Sequence, residues 1–330
     1  MKEERIWYRG KGAPSREEPP HFEELENFQH PRHYRADDGL RDAVNVAIAL
    51  GIPLLVTGDP GTGKTQLASA VAYELGAGKP LIFSAKTTST AQDLFYRYDA
   101  LRHFRDSRFG STGEALPAIR YVTFEALGLA TLLAMPPEEA DPYLPDDYKK
   151  KESGPRPRRS VVLIDEIDKA PRDLPNDILR EIETMSFTVK EAGLTFPPDG
   201  KGDSRYRPIV IITSNSEKNL PDAFLRRCAY YNIEFPDGKR LTEIVIGRFP
   251  KSTWLNPDRV SAAIEAFFKV RKLPLKKHPA TAEFLAWMRI LDEEQIDPAT
   301  IRAGSREAIA FTAAILTKNK EDAEQVPKAF

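Results

Sequence analysis

The sequence predicts an α/β protein in which a three-layer αβα unit around a mainly parallel sheet is followed by a small all-helical domain. Over residues 34–237, short apolar segments typical of buried strands alternate with segments of helical periodicity. Beyond this region the strand-like segments stop, and apolar residues recur only at helical spacing. The 330 residues are enough for about two domains at the usual ~150 residues per domain.

The αβα unit is predicted element by element from apolar runs, glycines and prolines. In chain order the predicted elements are a helix at Leu40–Leu50, a strand at Ile52–Thr57, a helix at Thr65–Leu75, a strand at Leu81–Ala85, helices at Gln92–Phe104 and Thr123–Met135, a strand at Ser160–Ile164, a helix at Leu174–Met185, a hairpin at Ser186–Phe196 and a strand at Pro208–Thr213. Apolar residues alternate with polar ones on both sides of Glu191-Ala192-Gly193, which is typical of a hairpin.

Three further regions have their own composition. Residues 1–33 are charged and rich in proline, so they predict an extended N-terminal arm that cannot form a core alone. The aromatic residues of this arm are expected to pack on the chain's own surface or on a neighbouring subunit. Residues 136–159 combine prolines with an acidic and then a basic half, which predicts an inserted loop. Residues 238–330 are predicted to form the helical domain.

The overall composition restricts the class of partner and the cellular compartment. Forty-eight basic and 49 acidic residues give a net charge of −1, so neither nucleic acid nor an anionic membrane is attracted overall. The basic run at 156–159 is expected to be a solvated loop, with a nucleic-acid contact as the alternative. The single cysteine, Cys228, is expected to be a small buried residue. Without an internal disulfide, a signal peptide or a membrane-spanning run, the sequence predicts a cytoplasmic protein.

A glycine-rich loop between a predicted strand and a predicted helix matches G-x-x-x-x-G-K-[ST]. Glycines allow successive N–H groups to converge on phosphate oxygens, and the N-terminus of the following helix favours the same anion. In this pattern the lysine reaches the β- and γ-phosphates, and the hydroxyl residue binds Mg²⁺. A turn of similar sequence is the alternative. The pattern predicts that ATP and Mg²⁺ are bound by residues drawn from Gly58, Asp59, Pro60, Gly61, Thr62, Gly63, Lys64, Thr65 and Gln66.

An acidic pair follows the predicted strand at 160–164, where Val161-Val-Leu-Ile ends in Asp165 and Glu166. The carboxyl ends of parallel strands form the edge at which α/β sheets bind ligands, so these carboxylates are expected beside the glycine-rich loop. Asp165 is predicted to hold Mg²⁺ directly or through water, and Glu166 to act as the general base for the attacking water. The alternative is a pair of acids that only solubilises a strand end.

Together the two motifs resemble the Walker A and Walker B motifs of AAA+ ATPases, which have a P-loop NTPase core and a helical lid. More narrowly, the segment Pro175–Met185, followed by a hairpin and a strand, is similar to the helix-2 insertion of the MoxR branch. Leu220–Cys228, with the sequence LPDAFLRRC, resembles another segment of that branch, which is of the dynein-related type. The resemblance covers about residues 34–236 and implies an ATPase.

The resemblance also implies roles for polar residues outside the two motifs. Asn215, after the strand at 208–213, matches the sensor-1 residue that orients the attacking water; a turn-forming asparagine is the alternative. Arg226 or Arg227 would be the arginine finger that reaches into a neighbouring subunit's site, although either could instead be an arginine paired on the surface. A finger acting in trans requires a head-to-tail ring, commonly a hexamer.

Two further residue types are assigned by the same resemblance. Tyr34 would line the adenine pocket, with a core aromatic as the alternative. The sensor-2 arginine of the branch has no counterpart in Lys276–Glu283, so Lys277 and Arg306 are the candidates for its role.

Several functions are compatible with this resemblance. A ring ATPase could remodel or activate a client protein, with a von Willebrand factor A domain partner on a separate chain. The chain could also be a nucleotide-controlled switch in a defence or signalling system. A nucleic-acid motor is the third candidate, and the balanced charge argues against it.

Overall fold

The computed structural model describes residues 28–109, 117–149, 157–199, 203–215, 220–250, 252–302 and 313–329. Contacts between Cα atoms divide the chain into two compact units. The first, which we call the sheet unit, comprises Ala36–Gly58 and Lys64–Ile233. The second, the helical unit, comprises Met1–Arg35, Asp59–Gly63 and Glu234–Phe330.

Nine strands lie in the described part of the sheet unit. They are β1 (Leu54–Gly58), β2 (Leu81–Ser84), β3 (Tyr96–Tyr98), β4 (Val122–Phe124), β5 (Val161–Asp165), β6 (Phe187–Val189), β7 (Leu194–Phe196), β8 (Ile209–Thr213) and β9 (Ala229–Ile233). Five of them form one sheet in the order β2-β5-β8-β1-β9, and every neighbouring pair is parallel. The order requires crossover connections, as expected for strands that alternate with helices.

Helices flank this sheet on both faces. The α-helices of the sheet unit are α1 (Asp38–Leu50), α2 (Lys64–Glu74), α3 (Ala100–Phe109), α4 (Ala126–Ala134), α5 (Pro137–Ala140), α6 (Asp146–Lys149), α7 (Leu174–Asp177), α8 (Leu179–Thr184) and α9 (Asp222–Leu225). Short 3-10 helices lie at Gln92–Leu94, Ala118–Tyr121, Ile167–Lys169 and Ser204–Tyr206. Every residue of β8 is buried, as are the first four of β1 and of β5. Because successive side chains point to opposite faces, both faces must be covered. The predicted three-layer αβα fold is confirmed.

The sheet register aligns the chemically important strand ends. Leu54 of β1 and Leu163 of β5 both pair with Ile211 of β8, which lies between them. The carboxyl ends of these three central strands therefore meet at one edge. The glycine-rich loop leaves β1 at this edge, and Glu166 follows β5 there.

The edge strand β9 was not predicted from the sequence. Its residues Ala229–Ile233 alternate between half-buried and exposed positions, and Tyr230 is 60% exposed. A half-exposed edge strand lacks the continuous apolar run by which the central strands are recognised. The strand is nevertheless in parallel register with β1 over its whole length.

Two predicted helices between β2 and β5 were wrong in part. The helix predicted at Gln92–Phe104 is replaced by a 3-10 turn and by β3, and an α-helix begins only at Ala100. The helix predicted at Thr123–Met135 begins at Ala126, because β4 precedes it and pairs antiparallel with β3. Packing explains the difference, since Phe95 and Tyr96 are buried against Phe187 and periodicity does not report such contacts.

The hairpin predicted at Ser186–Phe196 is present as β6 and β7, in antiparallel register. Phe187 and Phe196 are buried and contact the ring of Phe124. The apolar face of the hairpin is therefore used inside the sheet unit. The hairpin lies between α8 and β8 in the chain. The unpredicted β3–β4 pair lies elsewhere, in the connection between the sheet strands β2 and β5.

The segment 136–159 is not an inserted loop without a core, contrary to the prediction. Its described part contains α5 and α6, and α5 begins with Pro137 at a position where proline is favoured. Ala140 is fully buried and Leu144 is 3% exposed, and both belong to the main core of the sheet unit. Composition was misleading here because a few apolar residues, with Tyr143 and Tyr148 also packed against the core, anchor two short helices. Arg156 lies outside the described residues.

The helical unit has its own core. Its described α-helices are α10 (Gly238–Arg248), α11 (Pro257–Arg271), α12 (Thr281–Glu294), α13 (Pro298–Arg302) and α14 (Lys320–Ala323), and 3-10 helices lie at Pro31–His33 and Val326–Ala329. Phe267, Phe284 and Trp287 are completely buried at its centre. No described helix in either unit has both the length and the apolar character to cross a membrane.

Phe28 and His33 of the predicted N-terminal arm both pack within the helical unit. Phe28 contacts the ring of Phe249 at 5.3 Å between centroids, and the guanidinium of Arg248 donates to the Phe28 carbonyl at 2.7 Å. This contact agrees with the expectation that the arm's aromatics pack on the chain's own surface. The other aromatic residues of the arm, Trp7, Tyr8 and Phe22, lie outside the described residues.

Candidate functional site

The glycine-rich loop has backbone conformations that require its glycines. Gly61 and Gly63 have φ angles of 80° and 93°, which residues with a Cβ rarely adopt. A Cβ on Gly61 would lie 2.9 Å from the Cβ of Ala280, and one on Gly63 would lie 3.3 Å from Cε2 of Tyr34. A side chain at Gly61 is therefore disfavoured by both conformation and space, whereas at Gly63 the backbone conformation is the main restriction.

The apex of the loop, Asp59–Gly63, is held within the helical unit. The N–H of Ala282, in the first turn of α12, donates to the Gly61 carbonyl at 3.1 Å. Within the apex the Thr62 hydroxyl donates to the Asp59 carbonyl at 2.8 Å, while Asp59 and Pro60 are exposed. The Tyr34 ring lies beside Gly63, so the residue predicted for the adenine pocket does touch the loop. Its role with adenine stays a prediction.

Lys64 is the first residue of α2 and is only 7% exposed. Its ammonium group donates to the Gly58 carbonyl at 2.6 Å, so it folds back over the loop from which it comes. A lysine is rarely so buried unless its charge has a function or a partner. The following residues, Thr65 and Gln66, are exposed on the same turn.

The chemistry of Thr65 and Asp165 fits a magnesium ion. The Thr65 hydroxyl lies 3.1 Å and 3.3 Å from the two carboxylate oxygens of Asp165. Mg²⁺ prefers hard oxygen ligands and is usually bound through one or two protein groups together with phosphates and water. A hydroxyl and a carboxylate next to a phosphate-binding loop are such groups, and the sequence predicted these two residues for this purpose.

Thr213, the last residue of β8, forms hydrogen bonds with both Asp165 and Glu166. It was not predicted from the sequence as a site residue. Its hydroxyl donates to Asp165 Oδ1 at 2.6 Å and accepts the Glu166 N–H at 2.9 Å. The side chain is 1% exposed. A threonine at the end of a strand is common in any sheet, so sequence gave no reason to select it.

The carboxylate of Glu166 is held on both oxygens. Oε1 accepts from the side-chain amide of Asn215 at 3.3 Å, and Oε2 accepts from Lys169 at 2.5 Å. Glu166 has φ 55° and ψ 50°, a left-handed conformation that is costly for a residue with a side chain. Such conformations are concentrated at functional sites.

Asn215 is fixed through its backbone as well. Its N–H donates to Asp168 Oδ1 at 3.3 Å, and Asp168 is 2% exposed. The side-chain amide of Asn215 thereby reaches Glu166, and the sensor-1 role stays a prediction. Neither Asp168 nor Lys169 was predicted as part of the site, because nothing in their sequence context distinguishes them from ordinary charged residues.

The two candidate finger arginines follow the short helix α9, and both are exposed. Arg227 forms an ion pair with Glu183 of its own chain at 2.8 Å. No ion pair of Arg226 occurs among the residues that the structure describes. The neighbouring Cys228 is largely buried, and burial raises the pKa of its thiol to about 12. A raised thiol pKa disfavours the nucleophilic thiolate at neutral pH.

Of the two sensor-2 candidates, only Lys277 lies in the described part of the chain. Lys277 is exposed, and its backbone N–H, rather than its side chain, is bonded to Asp322. Arg306 lies outside the described residues. The start of α12, where the related arginine was sought, instead contacts the loop apex through the backbone of Ala282.

The chain resembles a known protein family and several solved structures. Residues 53–228 match the family model described as "AAA domain (dynein-related subfamily)". Two solved structures of Thermotoga maritima RuvB resemble the chain. The first, a variant, is 15% identical, with a TM-score of 0.44. The match covers 82% of this chain and 68% of the RuvB chain. The second is titled a Holliday junction branch migration motor. It is 14% identical, with a TM-score of 0.42, and the match covers 91% of this chain and 72% of the RuvB chain. Among curated proteins, none matches this sequence.

Proposed function

Because this chain belongs to the dynein-related subfamily of AAA domains, we propose that it hydrolyses ATP within a ring and uses the cycle to remodel or activate a partner protein. The observation that carries this proposal is the hydrogen-bonded network of Thr65, Asp165, Glu166 and Asn215 at the carboxyl edge of the sheet. A metal-binding pair and a general base with its orienting amide are what ATP hydrolysis requires.

Each residue has a defined task in the proposed reaction. Lys64 binds the β- and γ-phosphates as a point charge, while Thr65 and Asp165 hold Mg²⁺. Bound Mg²⁺ neutralises charge on the phosphate oxygens. Glu166 accepts the proton of the attacking water, and Asn215 keeps its carboxylate oriented. Tyr34 would contact the adenine beside Gly63.

We propose that the ring is a hexamer in which one of the two arginines, Arg226 or Arg227, acts on the site of the next subunit. Both side chains are exposed, so they are available to a neighbour. The ion pair of Arg227 with Glu183 is no obstacle, since the side chains are 48% and 57% exposed and such surface pairs contribute little. An arginine supplied in trans typically accelerates phosphoryl transfer by ~10³–10⁵-fold.

Mixing two inactive variants tests action in trans. Lys64→Ala subunits keep their arginines but lack a working site, and Arg226→Ala/Arg227→Ala subunits keep the site but lack the fingers. We expect neither variant to hydrolyse ATP alone, whereas randomly mixed rings should recover about a quarter of wild-type turnover, because about a quarter of head-to-tail interfaces join complementary subunits. ATP turnover and native mass are measured on the same mixtures.

The matched control mixes Lys64→Ala with Glu166→Gln. Both substitutions damage the same site, so no interface in that mixture is complete and no recovery is expected. If mixed rings are present by mass but the first mixture stays inactive, the trans arginine is excluded. If the wild-type protein stays monomeric with ATP, the ring itself is excluded.

The partner that we propose is a separate protein of the type used by MoxR-like ATPases, with a von Willebrand factor A domain. The exposed parts of the β6–β7 hairpin, which include Thr188, Lys190 and Thr195, are the proposed client contact, since Phe187 and Phe196 are buried. These exposed side chains are polar. We therefore expect contact with the client to be polar rather than apolar.

Retention of a partner on an ATP-loaded ring tests this role. Tagged Glu166→Gln is purified with Mg-ATP from cells that also express the neighbouring gene products, and Lys64→Ala serves as the matched control. A dedicated partner is expected to be retained by the first protein and lost from the second. Retention of none of these products, with turnover stimulated by DNA or RNA instead, would favour the nucleic-acid motor over a partner ATPase.

A further inference from the structure

The hydroxyl of Thr213 forms hydrogen bonds with both acids of the proposed site. We propose that Thr213 is a positioning residue, which fixes the carboxylate of Asp165 for the metal and the backbone of Glu166 for the attack on ATP. This inference rests on the proposed hydrolysis. It adds a residue of β8 to the positioning of the two acids, whereas the sequence motifs indicate only residues at the end of β5.

The two contacts are compatible with only one orientation of the hydroxyl. The Glu166 N–H is a donor, so the Thr213 oxygen must accept from it at 2.9 Å. The hydroxyl proton is then directed to Asp165 Oδ1 at 2.6 Å, a charge-assisted bond of the stronger type. With the side chain 1% exposed, water does not replace either bond.

The first bond orients a proposed metal ligand. Oδ1 of Asp165 accepts from Thr213, and the Thr65 hydroxyl lies within 3.3 Å of both carboxylate oxygens. The carboxylate plane is therefore fixed relative to Thr65 instead of rotating at the strand end. Groups that orient metal ligands in this way affect metal affinity or activity by ~10–100-fold when removed.

The second bond supports an unfavourable backbone conformation. Glu166 is left-handed at φ 55°, and its N–H would lose its bond to the side chain of Thr213 if the hydroxyl were absent. This conformation directs the side chain to Asn215 and Lys169, whose donors bind its two oxygens. Loss of the Thr213 hydroxyl would let the peptide relax and move the carboxylate away from Asn215.

The ordinary alternative is that Thr213 only fills space between β8 and β5. Valine has nearly the same shape without the hydroxyl, so Thr213→Val separates packing from hydrogen bonding. Thr213→Ser keeps the hydroxyl and loses a methyl group. A packing role predicts that serine is the worse replacement, and a positioning role predicts that valine is.

The experiment measures steady-state ATP turnover and Mn²⁺ binding to the ADP complex, the latter by the electron paramagnetic resonance signal of free Mn²⁺. For Thr213→Val we expect kcat to fall ~10–100-fold and the Mn²⁺ dissociation constant to rise by a similar factor, with KM for ATP nearly unchanged. Thr213→Ser is expected to restore both quantities to within a few-fold of wild type. Thermal unfolding of each variant confirms that it is folded.

Two results would overturn the proposal: wild-type kcat and Mn²⁺ affinity in Thr213→Val, or equal losses in Thr213→Ser and Thr213→Val. If Thr213→Val does not fold, Thr213→Cys takes its place with the same expectation, since a thiol has similar size but is a weak hydrogen-bonding group. A wild-type chain that binds ADP and Mn²⁺ but never hydrolyses ATP would refute the proposed function. The Mn²⁺ measurement would still decide whether Thr213 orients Asp165.

Discussion

Glu166→Gln is expected to lower the kcat for ATP hydrolysis by ~10²–10⁴-fold, the usual contribution of a general base, while ATP still binds. The glutamine amide cannot take the proton of the attacking water. Its carbonyl oxygen can still accept from Asn215, so the local hydrogen bond at 3.3 Å is conserved. The lost ion pair with Lys169 costs little in binding or folding, because the two side chains are 42% and 36% exposed.

Turnover and equilibrium binding of ATP are measured together for this variant. Glu243→Gln is a matched control: it is the same chemical change at an exposed acid of the helical unit that pairs with Arg240, and it should hydrolyse ATP at the wild-type rate. Wild-type turnover in Glu166→Gln would mean that another group is the base. Loss of ATP binding would mean that Glu166 serves the nucleotide site rather than the water.

Lys64→Ala is expected to reduce kcat/KM for ATP on the order of 10³-fold or more, and to weaken ATP binding at least 10-fold. A charged hydrogen bond contributes about 1.5–3 kcal/mol in binding, and a donor aimed at charge that develops in the transition state contributes a further ~10²–10³-fold in rate. Burial increases the effect, because Lys64 as a whole is only 7% exposed and charges interact more strongly away from water.

Isothermal titration with Mg-ATP and steady-state turnover measure the two parts of this effect. Lys79→Ala removes an exposed lysine of the same unit and is expected to change neither. Because Lys64 also binds the Gly58 carbonyl, thermal unfolding must show that the variant is folded. Unchanged activity in a folded Lys64→Ala protein would remove the assignment of the whole loop to phosphate.

Sequence predicted those parts of the fold that depend on local pattern. The buried strands β1, β5 and β8 are continuous apolar runs, and the glycine-rich loop and the acidic pair follow two of them directly. Once the strands are parallel, their carboxyl ends must meet, so the approach of Thr65 to Asp165 follows from the topology. Periodicity could not predict β3, because Tyr96 is a strand residue only through its pairing with Phe124 of β4 and its burial against Phe187.

The parts of the site that sequence did not predict are contacts between distant segments. Thr213 meets Glu166 across 47 positions of the chain, and Asn215 meets Asp168 across 47 as well. Threonine, aspartate and lysine are common at strand ends and in turns, so their types alone carry no information about function. The two candidate finger arginines differ from these residues, because they were predicted from the sequence. Sequence selected Arg226 and Arg227, and among the residues that the structure describes an ion pair is found for Arg227 alone. Their proposed use depends on another subunit.

The left-handed backbone of Glu166 also bears on how this chain can diverge. Glycine adopts φ 55° at little cost and asparagine at less than glutamate, so the present residue sacrifices about 1 kcal/mol or more of folding stability to keep a carboxylate in place. Selection for stability alone would drive this position toward glycine or asparagine. Under the proposed hydrolysis, a descendant that binds nucleotide without cleaving it would be expected to show that exchange early.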